Sequence, residues 1–376
     1  MSSSGSSDDA TSSFEGTRRY GRRGGFYPVQ IGEVLDHKWR VQSKLGFGRY
    51  STVWAAAGQD GPGAVKVHRA DADWWQDEVD VLTKLRNLPC VPQLLGSFAI
   101  RSASGEHGCI VTEQLGATLH RAIFRGRGAL PGWVVSGVMR DVAAGLEALH
   151  ERGLMHADLK PDNVLLRPWL SDLLLGTGPP LRVYQSRKQR KKAAAVPAAE
   201  PKAPTTEPET DRTADADAGG GFCVISDLGN AVRADEFPPV PGSLQARGYR
   251  APEVLLYMHH SPAIDMFALG VILNEMLTRR YMFDPEGETR RATFEAHVRA
   301  LSECTGPFPE WMRRAAPACA VEAMGAARSA ERAPALARDD GPLGATLHGL
   351  LELDPHLRMT ATAARSRLLG SPMRLD

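Results

Sequence analysis

His156-Ala157-Asp158-Leu159-Lys160-Pro161-Asp162-Asn163 gathers carboxylates, an ammonium and an amide into eight consecutive positions. Further on, the apolar run Phe222-Cys223-Val224-Ile225 leads into Asp227-Leu228-Gly229. Phosphoryl transfer needs a carboxylate to orient an attacking hydroxyl and accept its proton, with oxygen ligands for Mg²⁺ bridging the phosphates. Asp158 suits the first role, and Asn163 and Asp227 suit the second. Lys160, two residues past the base, can reach the transferring group.

A second set of residues suits the nucleotide. Gly46-Phe47-Gly48-Arg49-Tyr50-Ser51 lies between two strand-like runs, where glycines let backbone N–H groups approach phosphate oxygens closely. Taken alone, such a stretch is equally a β-turn with no ligand. The next run, Ala64-Val65-Lys66-Val67, carries a lysine, which in a strand ordinarily faces solvent. Glu78, twelve residues on, sits in a helical pattern whose apolar side is Trp75, Val79 and Leu82. An ion pair between Lys66 and Glu78 would hold the ammonium against two phosphates.

The elements that must position these groups are legible in the patterning. WRVQSKLG, STVWAAA and GAVKV are short β-branched or aromatic runs broken by Gly and Pro, and predict an antiparallel sheet. From Trp133 to His150, Val135, Val138, Met139, Val142, Leu146 and Leu149 recur at helical spacing, which predicts an amphipathic helix packed on a core. Residues 264–277 are apolar nearly all round and predict a helix buried centrally in the second half. Two stretches are poor in core formers. Residues 1–25 read as a disordered Ser/Arg-rich tail, and 167–221 as a flexible surface insertion with a basic run at 187–192 followed by an acidic one.

Taken in order, the motifs Gly46 to Ser51, Lys66, Glu78, Asp158 to Asn163, Asp227 to Gly229 and Ala251-Pro252-Glu253 resemble a eukaryotic-type protein kinase. Asp-Leu-Lys-Pro-Asp-Asn is similar to the serine/threonine kinases, and Tyr249-Arg250 before Ala251 to their CMGC group. Gly24 to Gly32, Lys44 to Trp54, Asp227-Leu228-Gly229-Asn230-Ala231 and Gln245 to Arg250 resemble the SR-protein kinase family. An insertion between the catalytic segments is also a habit of that family. Here Asn163 and Asp227 stand 64 positions apart, where a hairpin needs about a dozen.

The resemblance implies an α+β, two-lobed fold: a small antiparallel β-rich lobe over 26–115 and a larger helical lobe over 116–371, the latter interrupted at 167–221. It implies ATP and Mg²⁺ as cofactors, with Lys66, Glu78, Asp158 and Lys160 catalytic and Asn163 and Asp227 on the metal. Leu45, Gly46, Gly48, Ser51, Val53, Ala64, Lys66 and Thr112, the gatekeeper position, would line the nucleotide, and Glu113 and Leu115 would offer hinge backbone groups to adenine. Asp265 would anchor the catalytic-loop backbone, and Arg358 would pair with Glu253. Trp74-Trp75 reads as packing and His259-His260 as surface.

Departures from the family pattern bear on regulation and substrate. Ala157 replaces the arginine that in many kinases receives an activation-loop phosphate, and from Asp227 on Ser243 is the one hydroxyl ahead of Gln245-Ala246-Arg247. Constitutive activity is expected. Arg279-Arg280 stands where the family commonly has Gly-Asp, and two cations would repel the Arg/Ser-rich proteins that the family phosphorylates, leaving Asp284 and Glu286 as acidic contacts. A CMGC kinase with other substrates and a pseudokinase scaffold are the alternatives.

Composition excludes other classes. Hydrophobic residues at 43% and charged residues at 24% suit a globular chain, and 45 basic against 44 acidic side chains leave no overall attraction for nucleic acid or anionic membrane. Five scattered cysteines without C-x-x-C spacing indicate neither a disulfide framework nor a zinc site. No signal peptide or 18-residue apolar run is read here, so a soluble, intracellular protein is expected, and separately a monomer. The basic run reads either as a nuclear-import signal, adding a nuclear pool to a cytoplasmic one, or as a solvated linker.

Overall fold

A computed structural model describes residues 24–126, 128–176, 221–236, 244–325 and 341–369. The run at 187–192, Ser243 and all but the last two residues of the tail lie outside the described residues. The described residues divide into two compact units: those up to Thr83 with Gln93–Gln114, and Lys84–Pro92 with those of 115–176 and from Gly221 onward.

The first unit is a six-stranded antiparallel sheet in the order β1-β2-β3-β4-β6-β5, from Val34–Leu35 (β1), Trp39–Phe47 (β2), Ser51–Gly58 (β3), Gly61–His68 (β4), Leu94–Ser102 (β5) and Gly105–Glu113 (β6). Alternation selects its buried face, because successive side chains in a strand point to opposite sides. Trp39, Val41, Trp54, Val65, Val67, Cys109 and Val111 form one cluster, with Tyr27 and Val29 packed on it. Leu45, Val53, Ala64, Lys66 and Thr112 alternate with that set and are partly exposed. The register shifts between Lys44 and Gly46, a bulge at Leu45 where β2 approaches its turn into β3.

Helix α1, Trp75–Lys84, belongs to the same region. Its buried residues are Glu78, Val81 and Leu82, with Trp75 and Val79 half-buried. Leu82 of the expected apolar side is thus fully inward, and Glu78 shares that face because it pairs there with Lys66, as the ion pair read in the sequence requires.

The second unit is mainly helical. The expected amphipathic helix spans Gly132–His150 and the expected central helix spans Ala263–Thr278, the latter buried at every position from Ile264 to Met276. Among the described residues the helices in chain order are α2 (Leu119–Arg125), α3 (Gly132–His150), α4 (Pro168–Leu175), α5 (Pro252–Leu255), α6 (Ala263–Thr278) and α7 (Arg290–Thr305). Four shorter ones follow, from Glu310 to Leu369.

The near end of the insertion read over 167–221 is corrected by α4. Pro168 at its first position, Gly176 in left-handed conformation at its C-cap, and buried Leu170 and Ser171 make a helix of the first residues of that range. At the far end, Phe222 and Cys223 donate backbone N–H groups to Asp141 of α3.

Two small antiparallel pairs carry the chemistry-bearing loops. Leu154–Met155 (β7) pairs with Val232–Arg233 (β10), and Val164–Leu166 (β8) with Cys223–Ile225 (β9). The Asp158 loop runs from β7 to β8 and the Asp227 turn from β9 to β10. The two pairings therefore set these loops side by side.

Candidate active site

In the sheet unit, Lys66 Nζ lies 2.9 Å from Glu78 Oε1 and 2.8 Å from Oε2. The strand lysine thus spans to α1, with its side chain 19% exposed against 6% for Glu78. The Gly46–Ser51 stretch closes as a tight hairpin: Gly46 pairs with Val53, Phe47 with Thr52, and Gly48 N–H donates to the Ser51 carbonyl at 2.8 Å. Nothing in the fold requires glycine there. A Cβ at Gly46 would meet no atom within 4 Å and one at Gly48 only Ser51, at 3.9 Å, and neither residue has positive φ. The missing side chains leave open space at both positions, which would let a polyphosphate approach the backbone N–H groups. Thr112 and Glu113 end β6, and Glu113 Oε1 accepts the Gln93 N–H.

In the helical unit, two predicted residues converge on the carboxylate of a third, Asp158. Lys160 Nζ is 2.6 Å from Asp158 Oδ2, and Asn163 Nδ2 donates to the Asp158 carbonyl at 2.8 Å and to Oδ2 at 3.3 Å. Asp158 Oδ1 is left as the accepting oxygen, and Asn163 keeps its Oδ1 as an oxygen ligand. Asp227 takes a left-handed conformation, φ 62°, at the start of the turn Leu228–Asn230. Its neighbour Ser226 donates its N–H to the Asn163 carbonyl at 2.8 Å, which ties the two candidate metal ligands through backbone. Leu115 opens this unit and is buried.

Asp265, in the first turn of α6, holds the loop. Its Oδ2 accepts the His156 N–H at 2.8 Å and its Oδ1 the Ala157 N–H at 3.0 Å, while His150 Nε2 stands 3.0 Å from Oδ2. Burial opposes charge on this carboxyl, yet the His150 hydrogen bond, the neighbouring His150 and His156 and the Ala157 N–H keep it below the ordinary carboxylate range. The grip holds Ala157 at φ 62°, a conformation that costs an L-residue roughly 1–2 kcal/mol. Ala157 is buried, and its carbonyl accepts the Gln245 N–H at 2.8 Å. Arg358 pairs with Glu253 through two bonds of 2.6 and 3.0 Å.

Arg279 does not stand free as a repelling cation. It caps α6 in left-handed conformation and donates to the Gly126 and Gly128 carbonyls. Arg280 is exposed. Nearby, Tyr249 OH donates to Glu275 Oε2 at 2.8 Å and Met282 N–H to Oε1 at 3.3 Å. Burial pushes Glu275 up to about 7, against those two hydrogen bonds and with added repulsion from Asp162.

Three positions were missed in the sequence. His68 stands 3.5 Å from Glu78 and has a legible signal, since two residues from Lys66 in a strand is the same face. Gln245 and Ser226 act through backbone and side chain alike: Gln245 Nε2 donates to the Ile264 carbonyl and its Oε1 accepts the Ala251 N–H, both at 2.9 Å, and Ser226 Oγ donates to the Asn163 carbonyl at 3.1 Å.

Among the described residues no three His, Cys, Asp or Glu side chains converge as a metal cage. An amide oxygen and a carboxylate fit Mg²⁺, which takes one or two protein oxygens and completes its shell with phosphate and water. No helix among the described residues is long and apolar enough to cross a membrane.

The protein kinase domain family matches residues 39–173 and 217–368. The chain is 28% identical to "Serine/threonine-protein kinase SRPK" of Physarum polycephalum, over 78% of this chain and 73% of the relative. It is 26% identical to "Protein kinase dsk1" of Schizosaccharomyces pombe, over 77% and 70%. Identity with human "SRSF protein kinase 3" is 34%, confined to 38% of this chain and 28% of that one.

Proposed function

Because the chain belongs to the protein kinase domain family and is a protein serine/threonine kinase similar to SRPK enzymes, we propose that it transfers the γ-phosphoryl of ATP with Asp158 as base. The observation that carries this reading is the convergence on Asp158. Lys160 and Asn163 both hold Oδ2, so Oδ1 is the oxygen that receives the substrate hydroxyl and its proton. Lys160 then leaves Asp158 to follow the charge on the transferring group. Lys66, aimed by Glu78, holds the phosphates, and the Gly46–Ser51 hairpin offers them backbone N–H groups. Leu45, Val53, Ala64 and Thr112 give adenine an apolar face, and Glu113 and Leu115 give it backbone partners. Asn163 and Asp227 hold Mg²⁺, which when bound offsets the phosphate charge.

The enzyme is active without activation-loop phosphorylation on this reading. What supports it is the Gln245 N–H bond to the Ala157 carbonyl, a neutral backbone joint where other kinases use an arginine and a phosphate. The substrates on this reading are Arg/Ser-rich proteins, which the resemblance to the SR-protein kinases implies, and one relative carries the name SRSF protein kinase 3. Supporting this choice, Arg279 is engaged by carbonyls and Asp162, with its side chain 52% exposed, presents a carboxylate in the Asp158 loop.

The test is phosphate incorporation from labelled ATP with Mg²⁺ on a mixed peptide array, using phosphatase-treated protein. Incorporation into Ser beside Arg, retained by Ser243→Ala, is expected. Preference for Ser-Pro would overturn the substrate reading, and a rise of more than about tenfold on phosphorylation of Ser243 would overturn constitutive activity.

A further inference from the structure

Two adjacent tryptophans at the start of α1 take opposite places. Trp75 opens the helix half-buried over Gly108 of β6, so closely that a Cβ there would sit 2.1 Å from its ring. Trp74, one residue earlier, has its carbonyl tied to the helix by the Asp77 N–H at 3.1 Å, while its side chain is exposed. Packing accounts for Trp75. The ring of Trp74 meets a different neighbour, Tyr50 of the Gly46–Ser51 hairpin, with centroids 5.1 Å apart and planes crossed at 86°. That is the edge-to-face geometry aromatic pairs prefer.

Tyr50 sits where the hairpin passes from sheet to open turn. On the sheet side, Ser51 pairs with His68 of β4, and the Tyr50 carbonyl accepts the Arg69 N–H at 2.8 Å. On the turn side, glycines at 46 and 48 supply no Cβ to pack, Phe47 is exposed with Lys44 over its ring, and the Arg49 guanidinium lies over Tyr50 itself. Tyr50 and Trp74 are 39% and 37% exposed, and meeting edge-on takes part of each ring out of water. The contact thus ties the turn to the flank of α1. The same helix carries Glu78, which pairs with Lys66, so residues 74–78 bear on both groups assigned above to the phosphates.

We propose that Trp74 is a positioning residue for the hairpin: its ring holds Tyr50, and through Tyr50 the backbone N–H groups of the turn, in the conformation that binds the phosphates of ATP. The inference rests on the role proposed for Gly46–Ser51. A released turn spends part of its time in other conformations, and apparent affinity falls with the fraction that is competent to bind. An edge-to-face pair is of a size to shift that balance about two- to tenfold. The transfer step, assigned to Asp158, is left as it was.

The test is ATP KM and kcat for Trp74→Ala, Tyr50→Ala, the double variant and Trp74→Phe, each checked for folding by its melting temperature. Trp74→Ala should raise ATP KM about two- to tenfold with kcat within about twofold of wild type. The double variant should be no worse than the worse single one, since one contact is lost only once. Trp74→Phe, which keeps a ring edge, should recover most of the affinity. A wild-type KM in Trp74→Ala overturns the proposal, as do losses that multiply in the double variant or that fall on kcat. If Trp74→Ala does not fold, Trp74→Leu takes its place under the same criteria. Gly48→Val separates the two levels, because a side chain there meets only Ser51 and fills the space through which phosphates approach. An unchanged ATP KM in Gly48→Val defeats the hairpin reading itself, whereas its rise beside inert Trp74 variants defeats only this inference.

Discussion

Lys66–Glu78 and Lys160–Asp158 are the same two groups built in two ways. The first joins a strand to a helix across twelve residues, with Glu78 almost wholly buried. The second closes inside one loop, two residues apart at 2.6 Å, with its side chains 25% and 16% exposed. A pair that spans two elements fixes one against the other, so its geometry is set before a nucleotide arrives. A pair within a loop is placed by the loop, and a partly solvated ion pair is worth only about 0–1 kcal/mol, so it exchanges partners easily. On the roles proposed above, the sheet unit holds and the loop of the helical unit reacts. Arg358–Glu253, with both side chains fully buried, extends the series to a pair that only holds.

Substitutions rank these pairs. Arg358→Ala leaves Glu253 charged and buried without its partner, and denaturant unfolding should register a loss of about 3–5 kcal/mol. Glu78→Gln removes a charge-assisted bond worth about 1.5–3 kcal/mol, and steady-state kinetics should show kcat/KM for ATP lower by roughly ten- to a hundredfold with the fold intact. An equal loss of stability in the two variants would erase the distinction between an ion pair that only holds and one that aims a reactive group.

The helical unit also carries two buried groups whose titrations oppose each other. His297, with both ring nitrogens unpartnered among the described residues, is pushed down to about 3 by burial, with Arg250 and Arg247 adding to it. Its unfolded form protonates near 6.5, so its contribution to stability is full above that pH and is lost as pH falls toward 3. Glu275 runs the other way: pushed up to about 7 from 4.5, it favours folding fully below 4.5 and loses that contribution as pH rises toward 7. Between pH 7 and 5 each change amounts to about 2 kcal/mol, and the two nearly cancel. His297→Phe should then become more stable on acidification over that range and Glu275→Gln less stable. Hydrogen exchange in α6 and α7 at the two pH values reads both signs, and slopes of one sign in both variants would break the pairing.

The motif order and the two long helices were legible because each rests on local spacing: Asp158 to Asn163 within one loop, and apolar residues at helical intervals from Trp133 to His150. The inward place of Glu78 on α1 was legible from its expected pairing with Lys66 and not from periodicity, which puts only Leu82 of the expected apolar residues wholly inside. Helix α4 had its signals in Pro168 and Gly176, but the Gly- and Pro-rich stretch after it dominated the composition. Arg279 was read as a free cation because a C-cap in left-handed conformation is ordinarily glycine, and nothing in the sequence says that its side chain returns to Gly126 and Gly128. The contact of His68 with Glu78 needed the placement of α1 against the sheet, which no strand pattern contains.

The division between holding and reacting is tested most directly by single-turnover phosphoryl transfer in Asp158→Asn, titrated with ATP so that one data set yields both affinity and rate. The expected result is an ATP affinity within about twofold of wild type and a transfer rate lower by roughly 10²–10⁴. A transfer rate near wild type, or a loss that appears wholly as weaker ATP binding, would contradict it.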